Sequence, residues 1–253
     1  MRFFAKVVCP MNVLRQRQSV WTALLVFSLL AGTSFGQGPI NLSETGLHDG
    51  ESIYGIDGTL FSTPWTNNNI ISTLLGLGET DPDLYSDVSF IAYGIYSNAS
   101  LLNLVQIDVN AVGGNASTSE DEAEASTRAY GIFGNPEGDA AVDNSGDITV
   151  TAWGGAAESA YGAARAYAEA YGIFANDTLT NSGIINVSGT GGTADSTADD
   201  GLANAYARIY GLYAYGQIIN NGAVTATAIG GTATSAGESE GSGAQAFAEA
   251  FGL

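Results

Sequence analysis

His48, followed closely by Asp49 and Glu51, is the one histidine of the chain, and an imidazole beside two carboxylates is the smallest set that could act as a general base or hold a divalent ion. Neither chemistry is completed by the rest of the sequence. A Ser-His-Asp or Cys-His nucleophile needs partners that the single histidine and the single cysteine, Cys9, do not supply. Zinc ligation of the usual nitrogen and sulfur kind is excluded for the same reason. His48 reads as an exposed loop residue.

Carboxylates are abundant, so calcium is the next chemistry to weigh. The calcium-binding nonapeptide repeat requires Gly-Gly-x-Gly-x-Asp, which makes backbone carbonyls and aspartate oxygens converge. The Gly-Gly pairs of this chain are followed instead by Asn115-Ala116, Ala156-Ala157, Thr193-Ala194 and Thr232-Ala233. Loop acids such as Glu120-Asp121-Glu122 and Asp199-Asp200 offer only weak divalent binding. Polysaccharide lyases and hydrolases need a cluster of acids, often with Lys or Arg, that does not repeat. Here Arg128 and Arg208 occupy equivalent places in a repeat, and Arg165 stands four residues before the matching position of its own. No catalytic, cofactor-binding or metal-binding residue is assigned on these grounds, and the chain is not expected to be an enzyme.

The repeat itself carries most of the information. Tyr54-Gly55-Ile56, Tyr93-Gly94-Ile95, Tyr130-Gly131-Ile132, Tyr171-Gly172-Ile173, Tyr210-Gly211-Leu212 and Phe251-Gly252-Leu253 recur at intervals of 39, 37, 41, 39 and 41 residues. Between them runs a second phrase, beginning at Asn103, Asn144, Asn181 and Asn220 and ending at a Gly-Gly pair. Two phrases in fixed order at this period are the signature of a stacked-repeat architecture. In the second phrase Ile107, Val109, Ala111 alternate with Asp108, Asn110, and Ile148, Val150, Ala152 with Thr149, Thr151, the period-two pattern of a half-buried strand. In the first, alanines take the apolar places (Ala166, Ala168, Ala170; Ala244, Ala246, Ala248, Ala250) and aromatics and charges the others, so no helical stripe forms despite alanine's helix propensity.

Each repeat is therefore expected to supply two strands, with the Ser/Thr/Gly/acid stretch after the Gly-Gly pair returning the chain as a surface loop. The fold class is all-β, a right-handed parallel β-helix in which equivalent strands pair at about 4.8 Å. Arg128, Glu169, Arg208 and Glu249, each two residues before the aromatic, alternate in sign. Direct stacking neighbours gain from that alternation, whereas groups two rungs or roughly 9.6 Å apart gain little. One flattened coil per repeat follows. The aromatics fall in one column of Tyr54, Tyr93, Tyr130, Tyr171, Tyr210 and Phe251 and a partial second of Ser126, Tyr167, Tyr206 and Phe247. They read as stacked ladders or as a binding strip, and parity does not settle their face, because the glycine after each aromatic of the first column lets a strand switch sides.

Ahead of the repeats, Arg2, Lys6, Arg15 and Arg17 precede an apolar run from Val20 to Ala31 and small residues at Ser34 and Gly36. This is the form of a secretory signal peptide over residues 1–36. The remaining chain holds Arg128, Arg165 and Arg208 against 26 acids and no lysine. Such a surface repels nucleic acid and anionic membrane. Residues 37–88 read as an N-terminal cap region and 89–253 as the repeats, which stop in mid-repeat, as in a fragment of a longer protein.

The phrase pair Tyr-Gly-Ile and Asn144-Ser145-Gly146-Asp147-Ile148-Thr149-Val150-Thr151-Ala152, behind a leader with a long basic start, resembles the passenger repeats of type V autotransporter proteins of Gram-negative bacteria. The resemblance covers residues 89–253 and implies that Asn144-Ser145-Gly146 and Asn181-Ser182-Gly183 are turns whose asparagine and glycine take left-handed angles and stack as ladders. Asn220-Asn221-Gly222 nearly matches, and Asn103-Leu104-Val105 departs. The family also carries a C-terminal outer-membrane barrel, which this sequence does not include. A secreted or cell-surface, adhesin-like or structural passenger is the expected function, with a host-surface or carbohydrate ligand and self-association through an open solenoid end. A β-helical polysaccharide lyase or hydrolase is the alternative.

Overall fold

A computed structural model describes residues 40–44, 52–58, 64–68, 70–75, 87–119, 121–134, 141–199, 201–237 and 243–253. The leader at 1–36 and His48 with Asp49 and Glu51 lie outside the described residues.

Every strand pairs in parallel with its equivalent one repeat away, and the result is an all-β parallel solenoid with no helix among the described residues. Tyr54 pairs with Tyr93, Tyr93 with Tyr130, Tyr130 with Tyr171, Tyr171 with Tyr210 and Tyr210 with Phe251. One repeat is thus one full turn. The described parts of 37–88 join the stack at one end: Ile40–Glu44 pairs with Ile71–Leu75, and Ser52–Gly58 with the strand Asp87–Ser97.

Each of the four complete rungs holds four strands where the sequence pattern indicated two. The long strand (Ala164–Ala175 in one rung) belongs to a six-stranded sheet, and the valine-rich strand (Ile185–Thr190) to another. Between them in the chain comes a three-residue strand, Leu179–Asn181, in a five-stranded sheet. After the Gly-Gly pair comes a four-residue strand, Thr193–Ser196, in a four-stranded sheet. The stretch read as a returning loop therefore begins as a strand. Its inward residues Ala116, Ala157 and Ala194 are buried, and the true loop starts only beyond it.

The core is thin because the long strand contributes mostly alanine. Ala164, Ala166, Ala168 and Ala170 are buried with Arg165, Tyr167, Glu169 and Tyr171 facing out. They meet Ile185 and Val187 of the facing sheet, and large residues are balanced by small ones across the gap. Ile209 takes the alanine position of its column opposite Gly189, where a Cβ would meet the Ile209 Cδ1 atom. Phe90, fully buried, is matched in the same way by Gly114. Volume is conserved rung by rung, as close packing requires.

Gly172 marks where the long strand changes parity. Tyr171 faces out, yet Ile173 and Ala175 face in, so the next outward side chain is Phe174. The missing Gly172 side chain would point at the Ile185 and Val187 methyls and the Gly211 carbonyl, so only glycine lets the chain bend this close to the facing sheet.

The asparagine corner is the most regular feature. Asn67 Nδ2 donates to Asn103 Oδ1 at 2.8 Å, Asn103 to Asn144 at 2.7 Å, Asn144 to Asn181 at 2.8 Å and Asn181 to Asn220 at 2.8 Å. Asn103, Asn144, Asn181 and Asn220 each also donate to a carbonyl two residues on, for example Asn144 Nδ2 to Gly146 at 2.8 Å. The ladder that the resemblance implied is present, but the glycine geometry differs. None of Gly146, Gly183 and Gly222 takes the left-handed conformation; each is glycine because a Cβ would overlap a carbonyl of the preceding rung. Asn103 makes the same turn through the Val105 carbonyl at 2.9 Å without any glycine.

Candidate functional site: the outer face of the long sheet

The outer face of the long sheet is organised in columns, one residue per rung. Its fullest column is Tyr54, Tyr93, Tyr130, Tyr171, Tyr210 and Phe251, with neighbouring ring centroids 4.8–5.1 Å apart and planes within 11°. Beside it, across the glycine bend, runs a second ladder of Tyr96, Phe133, Phe174 and Tyr213. The two ladders meet edge to face, as Tyr130 and Phe133 do at 4.9 Å and 74°. Offset stacking along a column and edge-to-face contact between columns are both favoured by the ring quadrupole.

This geometry divides the two readings of the aromatics. Stacking consumes ring faces, so each internal ring of the complete column presents only its edge to solvent. A sugar ring binds aromatic side chains through the ring face. The complete column is therefore a structural element, and burial pushes the Tyr93 phenol up to about 12 and raises those of Tyr130 and Tyr171 further.

On the other side of the tyrosine column lies the charge column. Arg128 Nε donates to Glu169 Oε2 at 2.8 Å and Arg208 Nε to Glu249 Oε2 at 3.0 Å. These residues are register neighbours, as the alternation of sign indicated, but they engage as two pairs rather than as one continuous chain. Arg165 stands one rung on from Glu124 and reaches back to Glu122, whose carboxyl it holds below the usual range through its hydrogen bond. All three arginines among the described residues are thus paired.

Beyond the charge column is an interrupted one: Ser89, Ser126, Tyr167, Tyr206 and Phe247. Its aromatic part is stacked, Tyr167 on Tyr206 at 5.3 Å and Tyr206 on Phe247 at 5.1 Å. Where the column changes from ring to hydroxymethyl, Ser126 donates to Ser89 Oγ at 3.0 Å and leaves space. A depression of about 250 Å³ opens there, lined by Glu124, Ser126, Thr127, Arg128, Tyr167 and Glu169. The Glu124 carboxyl is raised, first by burial and then by Asp87 in the adjacent rung.

A second depression lies over the three-residue strands, lined in part by Trp65, Leu102, Asp143 and Thr180, and carries no charge but Asp143. Among the described residues no group of three or more His, Cys, Asp or Glu is placed to hold a metal ion. Sequence reasoning recognised the tyrosine, charge and interrupted columns. It missed the Tyr96–Tyr213 ladder and the depression, although an aromatic three residues after Tyr93, Tyr130, Tyr171 and Tyr210 was a readable signal for the first. No protein-family model, no curated protein and no solved structure matches the chain.

Proposed function

We propose that the chain is a secreted or cell-surface β-solenoid segment that serves as an adhesin-like or structural passenger of the autotransporter kind. The observation that supports this most is the register of the outer columns. The same strand is laid down rung after rung with its tyrosine in place, which builds length and a regular exposed face. The strongly acidic surface keeps such rods apart and soluble. Expression from Met1 in a Gram-negative host tests the export half: the product is expected outside the inner membrane with Gln37 as its first residue. Recovery in the cytoplasm with residues 1–36 retained would overturn it. Beads coated with the folded chain test the adhesive half, with retention on glycan-bearing or cell surfaces expected.

One observation favours a second reading. The depression places Glu124, Glu169 and Arg128 together on a lateral face, the kind of setting in which a β-helical polysaccharide lyase or hydrolase works. Release of reducing ends or unsaturated products from acidic and neutral polysaccharides would favour that reading over the passenger.

A further inference from the structure

Two described aromatic stacks end at a tyrosine inside the solenoid: the second ladder at Tyr96, whose register partner is Asp57 and which Tyr54 meets edge-on, and the interrupted column at Tyr167. Tyr167 is stacked on Tyr206, and on its opposite side its register partner is Ser126, whose short side chain covers no ring. The exposed ring face looks into the 250 Å³ depression. That volume is below the ~300–1,000 Å³ of pockets for drug-sized ligands, so it suits a single ring.

The rim defines what kind of ring. Glu124 is partly buried and has no hydrogen bond or ion pair among the described residues, with Arg165 and Arg128 attracting it only at longer range, so its carboxylate keeps acceptor capacity for donors from outside. Arg128 and Glu169, already bonded to each other at 2.8 Å, stand on the opposite side and keep further donor and acceptor capacity. An anionic ligand would meet Glu124, Glu169 and the neighbouring Asp87. A cationic one would meet Arg128, and Arg165 beside Glu124. A neutral polyol uses both kinds of group: its hydroxyls would donate to the carboxylates and accept from the guanidinium, and its C–H face would lie on Tyr167. Burial and Glu124 raise the Tyr167 phenol, so the ring stays neutral around pH 7.

We propose that the Ser126 gap is a binding subsite for one neutral pyranose residue, stacked on Tyr167 and hydrogen-bonded by Glu124, Arg128 and Glu169. This deepens the adhesive reading by naming its ligand class and the place where it docks. It also gives a reason for one aromatic column to be broken while the tyrosine column on the same face is complete.

Saturation-transfer-difference NMR on the full folded chain, with the methyl glycosides of glucose, galactose, mannose and N-acetylglucosamine as probes, tests the site. At least one glycoside is expected to receive saturation, strongest on the C–H protons of one ring face. Ser126→Tyr continues the ladder through the gap and is expected to weaken binding at least tenfold while the unfolding midpoint holds or rises. Glu124→Gln, which disturbs no packing, is expected to weaken binding severalfold. No transfer to any of the four probes, or binding by either variant equal to that of the unaltered chain, would overturn the site. Coated beads separate this from the broader reading. Adhesion that survives Ser126→Tyr removes the subsite and leaves the passenger, whereas sugar binding without adhesion leaves the subsite and removes the adhesive role.

Discussion

Two aromatic columns run along the same sheet face on either side of the charge column: the tyrosine column has a ring in every described rung, whereas the interrupted one has Ser89 and Ser126 in place of two rings. In the complete column each internal ring covers its neighbours and is covered by them. In the interrupted column Tyr167 keeps a free face. The same residue type on the same scaffold is thus cohesive in one column and available in the other, and enclosure by register neighbours decides which. The asparagine corner extends the comparison inward, since the amides of Asn67, Asn103, Asn144 and Asn181 are buried and each bonds to the next rung.

If enclosure sets the energetic weight of a column, the largest loss falls at the corner. Asn144→Ala removes both ladder contacts, leaving Asn103 Nδ2 short of an acceptor and Asn181 Oδ1 short of a donor in buried positions. Each orphaned buried group costs about 1–3 kcal/mol, so a loss of about 2–6 kcal/mol is expected in urea unfolding. A loss below that of any tyrosine variant would break the ordering.

Next come the aromatics. Tyr130 is stacked on both sides and touches Phe133 and Phe174 edge-on, whereas Tyr167 is stacked on Tyr206 alone. With aromatic pairs worth about 0.5–1.5 kcal/mol each beyond their burial, Tyr130→Ala should cost at least about twice as much as Tyr167→Ala. Equal costs would mean that the gap at Ser126 is closed by something other than a rung neighbour.

The same column makes the fold sensitive to alkali. Tyr93, Tyr130 and Tyr171 have phenols raised above their ordinary value by burial, so the unfolded chain gives up these protons at lower pH than the folded one. Their contribution is fully present below pH 10 or so and is lost as pH rises through the folded values, about 12 for Tyr93. Thermal unfolding followed from pH 8 to pH 12 should show a falling midpoint that starts near the ordinary tyrosine range. Tyr130→Phe should flatten the fall, and an unchanged slope in that variant would place the titration elsewhere.

Much of this was legible in the residues, and the exceptions share a cause. Alternation over six residues, as in Ile148–Trp153, is long enough to declare a strand and its inner face. Val142–Asn144 and Ala156–Ser159 are too short for a period of two to stand out, and their Ser, Asp and Glu content resembles that of a loop. They are strands because the rungs on either side pair with them, and a single repeat does not display that. The second aromatic ladder was hidden by the parity change at Gly131 and Gly172, which puts Phe133 and Phe174 on the same face as tyrosines three residues earlier. The depression was harder still. It is created by what Ser126 lacks, and a small residue among Ser and Thr gives no signal until its column is assembled.

The smallest expected effect belongs to the most exposed column, where charge replaces enclosure. Glu169 receives the Arg128 guanidinium at 2.8 Å and faces Arg208 on the next rung, while Arg208 is bonded to Glu249. Glu169→Arg sets three arginines in succession, turning one hydrogen-bonded pair and one unbonded attraction into two repulsions. The side chains are substantially open to water, so each contact is worth about 0.2–1 kcal/mol, and a loss of about 1 kcal/mol is expected at low salt. Inverting the whole column with Arg128→Glu, Glu169→Arg, Arg208→Glu and Glu249→Arg restores alternation and should recover most of that loss. Added salt should shrink the difference between the single and the inverted variant, because it screens exposed charges over about 10 Å or less. Urea unfolding of both variants at two salt concentrations measures it. Recovery on inversion would show that sign alternation acts through solvent between adjacent rungs. Equal destabilisation of the two variants, insensitive to salt, would instead assign the cost to the arginine and glutamate stems packing beside Tyr130 and Tyr171, and enclosure would then govern this column as well.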